Sequence, residues 1–410
     1  MILHFVKAQT IIVCAFTFFN CLKILNFEMK FIIILLFFFA CSNDKKLKNN
    51  TNIEEQTYID LKNPMQMNQL KYSMEIDSSF SIFDSVIGLS YINKYYIDDK
   101  LSILFDEKLQ TLIFKQHERN DWVQIGKLGT GPTEVRNISS FAFDRESMAI
   151  FLWSSASRVI QIFNLEGKMI NRHAISINAA QIEILKPNIL VFYADYKENL
   201  TRHNIYIYDI NKNIVIQKLF YISSTEVIGW KNVTGFLSKC GNGIYFSPAF
   251  SDTIYKFQND NFYPIYAMNI SDPKLQSTRT NHSDIYESGF LLSDEASFQR
   301  NIFLNNNEYT VLSAQISRKQ EWGIYNSSLK KFSWFNEGAA SQIPMGFFPK
   351  PLYIEPNGLL WVQILPEDII NYKEQGNIDL EKYPKVIKEI VLRSTERSNP
   401  YLLRCKLSFK

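Results

Sequence analysis

About every 45 residues this chain repeats one short phrase: a strand ending in isoleucine and an aromatic, a polar turn, then a second strand. The phrase reads LIFKQHERNDWVQI, VIQIFNLEGKMI, IYIYDINKNIVI, TIYKFQNDNFYPI and GIYNSSLKKFSWF, anchored on Phe114, Phe163, Tyr208, Tyr255 and Tyr325. The anchors stand 49, 45, 47 and 70 residues apart. Each is preceded by a fuller apolar run: YYID from 95, MAIFLW from 148, NILVFY from 188, GIYF from 243 and EYTVL from 308. A sixth run, LLWVQIL from 359, leads into YLLRCKLSF. Continuous apolar runs of this length suit strands buried on both faces. Four strands per unit at this period predict an all-β chain, a six-bladed β-propeller of four-stranded antiparallel blades.

The best punctuated unit is Trp122 to Ile175, which reads as one strand, a Gly-Pro turn and four further short strands. Composition agrees with it: 32 Phe and 21 Tyr favour strands, where flat side chains pack on a pleated surface. The sixth unit is short of a fourth strand, so an N-terminal run, FSIFD at 80–84 or VIGLSYI just after it, is expected to close the ring and cover the open edge. Two polar insertions break the period, Ser271–Arg300 and Pro366–Pro400. The second holds the one expected helix, DLEKYPKVIKEIVLR, whose apolar spacing is helical apart from Pro384.

The N-terminus carries a different signal. From Met29 the chain reads MKFIIILLFFFACSNDKK: a basic residue, an apolar core from Phe31 to Ala40, then Cys41. Ten apolar residues would span only about 15 Å as a helix, half a bilayer core, which marks a signal peptide and not a membrane span. Residues 1–41 are read as a lipoprotein signal peptide with Met29 as the true start, 42–75 as a flexible polar tether, and 76–410 as the propeller. Phe38-Phe39-Ala40-Cys41 resembles a bacterial lipobox, in which the cysteine becomes the lipidated first residue. Cys240 and Cys405 remain, both in apolar strand-like runs, and are read as buried thiols.

Together, the lipobox, IGKLGTGPTEV, SDTIYKF and SNPYLLRCKLSF resemble the six-bladed β-propeller lipoproteins of Bacteroidetes over roughly residues 75–410. Those proteins carry Gly where this chain has Thr133. The resemblance implies a fold and an outer-membrane location in the cell envelope, on the periplasmic or the surface side, but no reaction.

Chemistry is sparse. Net charge is +3, and removing residues 1–41, with three lysines and one glutamate, leaves +1, which provides no footprint for nucleic acid. Gly126-Lys-Leu-Gly129-Thr-Gly131-Pro132 lacks the Gly-Lys-Ser/Thr ending of a phosphate loop and reads as the turn between two blades. Glu134 is then expected at the start of an inner strand, facing the central channel. His117, His173, His203 and His282 stand at no zinc-ligand spacing, so neither a metal nor a cofactor is expected. No nucleophile elbow is present. Asp98, Asp99, Asp144 and Asp252 fall where turns favour aspartate.

Two readings follow. The first is a monomeric, envelope-anchored binding or scaffold module for a peptide, glycan or protein partner, held to the membrane by its N-terminal lipid. The alternative is a hydrolase or lyase with a central-channel, calcium-dependent site. Aromatics and amides at the channel would favour binding, and converging carboxylates with a histidine would favour catalysis. For attachment, Cys41→Ser is expected to release the protein from the membrane fraction. Mass spectrometry of a mature N-terminus cut elsewhere would contradict it.

Overall fold

The computed structural model describes residues 57–59, 72–81 and 87–409, apart from 120, 130, 132–133, 196, 198, 200, 223–234, 242, 249–250, 252, 269–296, 307, 317–318, 336–339, 342, 344–346, 348 and 376–379. Two strands, β1 (Thr57–Ile59) and β2 (Tyr72–Ser81), precede the repeats. Blade 1 comprises β3 (Lys94–Ile97), β4 (Leu101–Asp106), β5 (Thr111–Gln116) and β6 (Val123–Ile125). Blade 2 comprises β7 (Ser140–Asp144), β8 (Ala149–Ser154), β9 (Val159–Phe163) and β10 (Met169–Ala174). Blade 3 runs through β11 (Gln181–Lys186), β12 (Ile189–Tyr193), β13 (His203–Asp209) and β14 (Ile214–Tyr221).

Blade 4 holds β15 (Phe236–Cys240), β16 (Gly243–Ser247), β17 (Thr253–Gln258) and β18 (Asn261–Met268). Blade 5 holds β19 (Ser297–Asn305), β20 (Tyr309–Ile316), β21 (Lys319–Asn326) and β22 (Lys331–Trp334). After the short β23 (Ala340–Ser341), blade 6 is built from β24 (Lys350–Ile354), β25 (Leu359–Ile364) and β26 (Tyr401–Phe409), with β2 as its fourth strand. The molecule is a six-bladed β-propeller of antiparallel sheets, closed by its N-terminal strand.

The five anchor aromatics all lie on third strands, β5, β9, β13, β17 and β21. Five of the six apolar runs are second strands. The first is not: Tyr95–Asp98 opens on the inner strand β3, and the second strand is the wholly buried LSILFD. Position within a blade explains the patterns. A second strand such as β8 is covered by neighbouring blades on both faces and is buried throughout, whereas the outer β14 alternates exposed and half-buried residues.

The closing strand begins earlier than the FSIFD run suggested. β2 starts at Tyr72 and pairs with β26 from Tyr72↔Phe409 to Ser81↔Tyr401, with one bulge between Ile76 and Ser78. At that bulge Arg404 Nε donates to Asp77 Oδ2 at 2.7 Å. β23 lies parallel on the outer edge of β2, and β1 lies parallel on the outer edge of β18, so these two edges are covered. Both β1 and Tyr72–Glu75 come from the stretch read as tether.

The insertion after β25 holds two helices where one was expected: α1 (Pro366–Glu374) and α2 (Lys385–Arg393). Pro384 does not interrupt α2; it stands at its N-cap, where a missing N–H costs nothing. α1 opens with Pro366, followed by Glu367 and Asp368 in its first turn, which is start chemistry that apolar spacing alone does not register.

Blades are joined mainly by side chains. Buried aromatics send a polar tip to the backbone just ahead of the next inner strand: Trp153 Nε1 to Ala179 O, and Trp322 Nε1 to Pro349 O, both 2.9 Å. Tyr193 does the same as an acceptor, its hydroxyl taking Gly235 N–H at 3.2 Å. Cys240 and Cys405 are both free thiols, Cys405 buried and Cys240 half-buried.

Two outcomes follow. Deleting residues up to 71 should leave the ring folded, whereas deleting up to Ser81 exposes the β26 edge and should cause aggregation; equal melting of the two would contradict closure by β2. Trp153→Phe leaves the Ala179 carbonyl without its donor and should cost about 1–3 kcal/mol, read by denaturant unfolding.

Candidate functional site

Six inner strands leave a cavity of about 870 Å³ along the axis, with every blade contributing to its wall. The ring has two faces of different make. At one, the entry face, inner strands begin and second-to-third strand loops emerge. At the other, the turn face, inner strands end in tight turns.

An inner strand presents one hydrogen-bonding edge to the axis, and those groups need partners. Neighbouring blades supply them as side chains. Lys94 of blade 1 reaches past blade 2, where Nζ lies 3.2 Å from Ser140 Oγ, to Ile182 O at 2.9 Å and Glu183 Oε1 at 2.7 Å on blade 3. Ser140 Oγ in turn accepts Ile182 N–H at 3.4 Å. Gln181 Oε1 accepts Leu237 N–H at 2.9 Å, and Lys239 Nζ donates to Ile184 O at 3.2 Å, so blades 3 and 4 are tied both ways. Gln363 makes two bonds to the backbone of Ile92, joining blades 6 and 1. Glu183 is only 5% exposed, so losing Lys94 would strand a buried charge at a cost on the order of 3 kcal/mol.

At the entry face Lys197 stands between two carboxylates. Burial pulls its ammonium below the usual lysine range, against the pull of Asp195 and Glu107. Burial also raises Glu107, and it lifts Asp195 to about 6 although Tyr193 Oη donates to Asp195 Oδ1 at 2.7 Å.

Tyrosines dominate toward the turn face. Tyr95 and Tyr353 meet edge to face with ring centres 6.1 Å apart, and Tyr96 Oη donates to Asp98 Oδ2 at 2.8 Å. Burial raises both Tyr95 and Tyr353, the latter to about 12, so both are neutral phenols at any ordinary pH. Arg145 lies 3.8 Å from Asp98 and 3.5 Å from Asp99. On the far wall Tyr245 Oη donates to Asn305 Oδ1 at 3.1 Å, with Lys256 Nζ 5.8 Å from the Tyr245 ring centre. Beside them is Cys240, its thiol pushed up to about 11 by burial.

Glu134 has another task than the one expected. It precedes β7 by several residues, and its carboxylate folds back on the glycine turn, accepting Gly131 N–H at 2.9 Å. Further backbone bonds, Gly129 N–H to Val135 O at 2.9 Å and Val135 N–H to Lys127 O at 3.0 Å, lock that turn. Blade 2 meets the cavity through Ser139–Phe143 and Arg145, and Glu134 is not among the lining residues. Gly126 has φ +69°, and a Cβ there would stand 2.3 Å from Leu152 Cδ1, so both the backbone and the packing favour glycine.

Asp98 and Asp144 cap turns: Asp98 Oδ1 accepts Lys100 and Leu101 N–H at 2.8 Å, and Asp144 Oδ2 accepts the Ser147 hydroxyl at 2.6 Å. Asp98 alone of these also lines the cavity. None of His117, His173 and His203 reaches it. Among the described residues no group of three or more His, Cys, Asp and Glu is placed to hold a metal ion. Cys41, His282, Asp252 and Thr133 lie outside the described residues. The cavity set that matters, Lys94, Tyr95, Glu183, Lys256, Asn305 and Tyr353, forms no motif in the sequence because, apart from the neighbours Lys94 and Tyr95, each residue sits singly in its own strand.

Comparison with known proteins places this geometry. No curated protein matches the chain. A protein of Bacteroides fragilis described as exported shares 14% identity and superposes with a TM-score of 0.65, over 82% of this chain and 95% of its own. A member of the duf4221 family from Bacteroides vulgatus shares 10% identity with a TM-score of 0.51, over 83% of this chain and 100% of its own. At such identities the likeness is one of fold. A family model described as a domain of unknown function, DUF4934, matches residues 84–406, from ahead of the first inner strand to within β26, and the chain belongs to that family.

Proposed function

We propose that this protein is an envelope-anchored binding module that takes its ligand in the axial cavity. The observation that carries the reading is the make-up of the wall. Half-buried tyrosines from blades 1 and 6, lysines from blade 4, and carboxylates from blades 1 and 3 surround a space of about 870 Å³. That volume falls within the range of small-ligand sites, and a few convergent polar groups in a concave wall are what fixes a ligand's orientation. Of the carboxylates, Glu183 is tied to Lys94 at 2.7 Å and Asp98 serves a turn and Tyr96, which leaves both committed to structure.

A partner surface lies close by. α1 and α2 emerge between second and third strands, on the entry face. Met268 and Ser297, the strand ends that flank residues 269–296, belong to that face as well. The two insertions are therefore attached on one side of the ring, in neighbouring blades, as a shared recognition surface requires. Lipidation at Cys41 would hold this module at the outer membrane as a monomer.

The cavity reading is tested by capture from envelope extracts followed by identification of the bound species. Tyr353→Ala should reduce capture at least tenfold, with a loss of only about 1–3 kcal/mol in stability. Undiminished capture by Tyr353→Ala, together with loss on deleting residues 366–398, would move the site from the cavity to the helical insertion.

A further inference from the structure

The cavity wall is chemically divided, and the division indicates what it holds. Its carboxylates, Glu183, Asp98 and Glu107, all come from blades 1 and 3. Among the described lining residues of blades 4 and 5 there is no carboxylate, while Lys256 is there together with Lys239, which spends one of its three N–H groups on Ile184 O at 3.2 Å. One side of the cavity is thus set to receive negative charge, and an ammonium bound to a carboxylate in a site of lowered dielectric makes a strong, charge-assisted hydrogen bond.

The accessible aromatics say more. Phe236, Phe303, Phe141 and Phe143 border the cavity but are turned into the core, each no more than 5% exposed. The half-buried rings are Tyr91, Tyr95, Tyr96 and Tyr353, with Phe257 the one phenylalanine among them. A ligand entering here meets phenol and ammonium groups, together with ring faces of an amphipathic kind, and little continuous apolar surface. That suits a compact, hydroxyl-rich ring with flat C–H faces better than a hydrophobic peptide side chain.

From this polarity we infer that the axial cavity binds an acidic saccharide, its carboxylate on the Lys239–Lys256 wall and its sugar ring against the tyrosines of blades 1 and 6. The inference rests on the cavity being the ligand site, as proposed above. It adds the ligand's chemical class.

The test is calorimetric titration of the mature protein with trigalacturonate and trimannuronate, each beside its methyl ester, which keeps the sugar and removes the charge. At least one acid should bind tenfold or more tightly than its ester and weaken as salt is raised. Lys256→Met should remove most of that difference, Lys256→Arg should restore it, and neither should shift the thermal transition by more than a few degrees. Equal binding of acid and ester, or no binding of either acid, overturns the inference. In that event, loss of envelope capture in Tyr353→Ala keeps the cavity as the site and discards only the ligand class. Acid binding that survives both Tyr353→Ala and Lys256→Met overturns site and class together.

Discussion

The pairing of Tyr72–Ser81 with Tyr401–Phe409 is the joint on which the ring depends. Among the described residues the hydrogen-bonded ladders run within the six sheets, and it is the β2–β26 pairing that ties an N-terminal strand to the C-terminal one. Met74, Leu403 and Cys405 are fully buried in it, and Arg404 spans the bulge from Asp77 to Glu355. Without β2 the third strand of blade 6 would present a long open edge, and the distances between the six inner strands would no longer be set by closure. The cavity inherits its shape from that constraint.

Closure brings a second demand. Six inner strands each turn an unpaired edge to the axis, and water alone would have to satisfy those groups if nothing else did. The chain instead uses Lys94, Ser140, Gln181, Lys239 and Gln363 as cross-blade partners, so the channel is tied and partly filled by the groups that stabilise it. Lys94 and Glu183 therefore belong to the frame. Asn305 belongs to it too, its amide bonded to Tyr245, Tyr266 and Thr310, while Tyr95, Tyr353 and Lys256 line the space that remains. The division between frame and lining accounts for how a propeller without a contiguous motif still has a defined site.

Much of the fold was legible because it is written in repetition. The third-strand aromatics from Phe114 to Tyr325 mark the blades, and buried second strands such as AIFLWS show as unbroken apolar runs. Elsewhere a local signal has two physical meanings. Tyr95–Asp98 looked like a buried second strand, although its tyrosines face a cavity from an inner one. Glu134, beside a glycine turn, served as that turn's own acceptor. The start of β2, YSMEIDSS, has too weak an alternation to announce a strand; its partner at the other end of the chain decides it. The site was the least legible part, since lining residues more than forty positions apart are brought together only by the ring.

Hydrogen exchange of the mature protein, with and without the envelope fraction that it captures, tests the central claim most directly. Binding in the axial cavity predicts added protection spread over the inner strands of several blades, β3, β15, β19 and β24, with the outer strands β10 and β14 unchanged. Protection confined to α1 and α2, or to the outer strands, would contradict it.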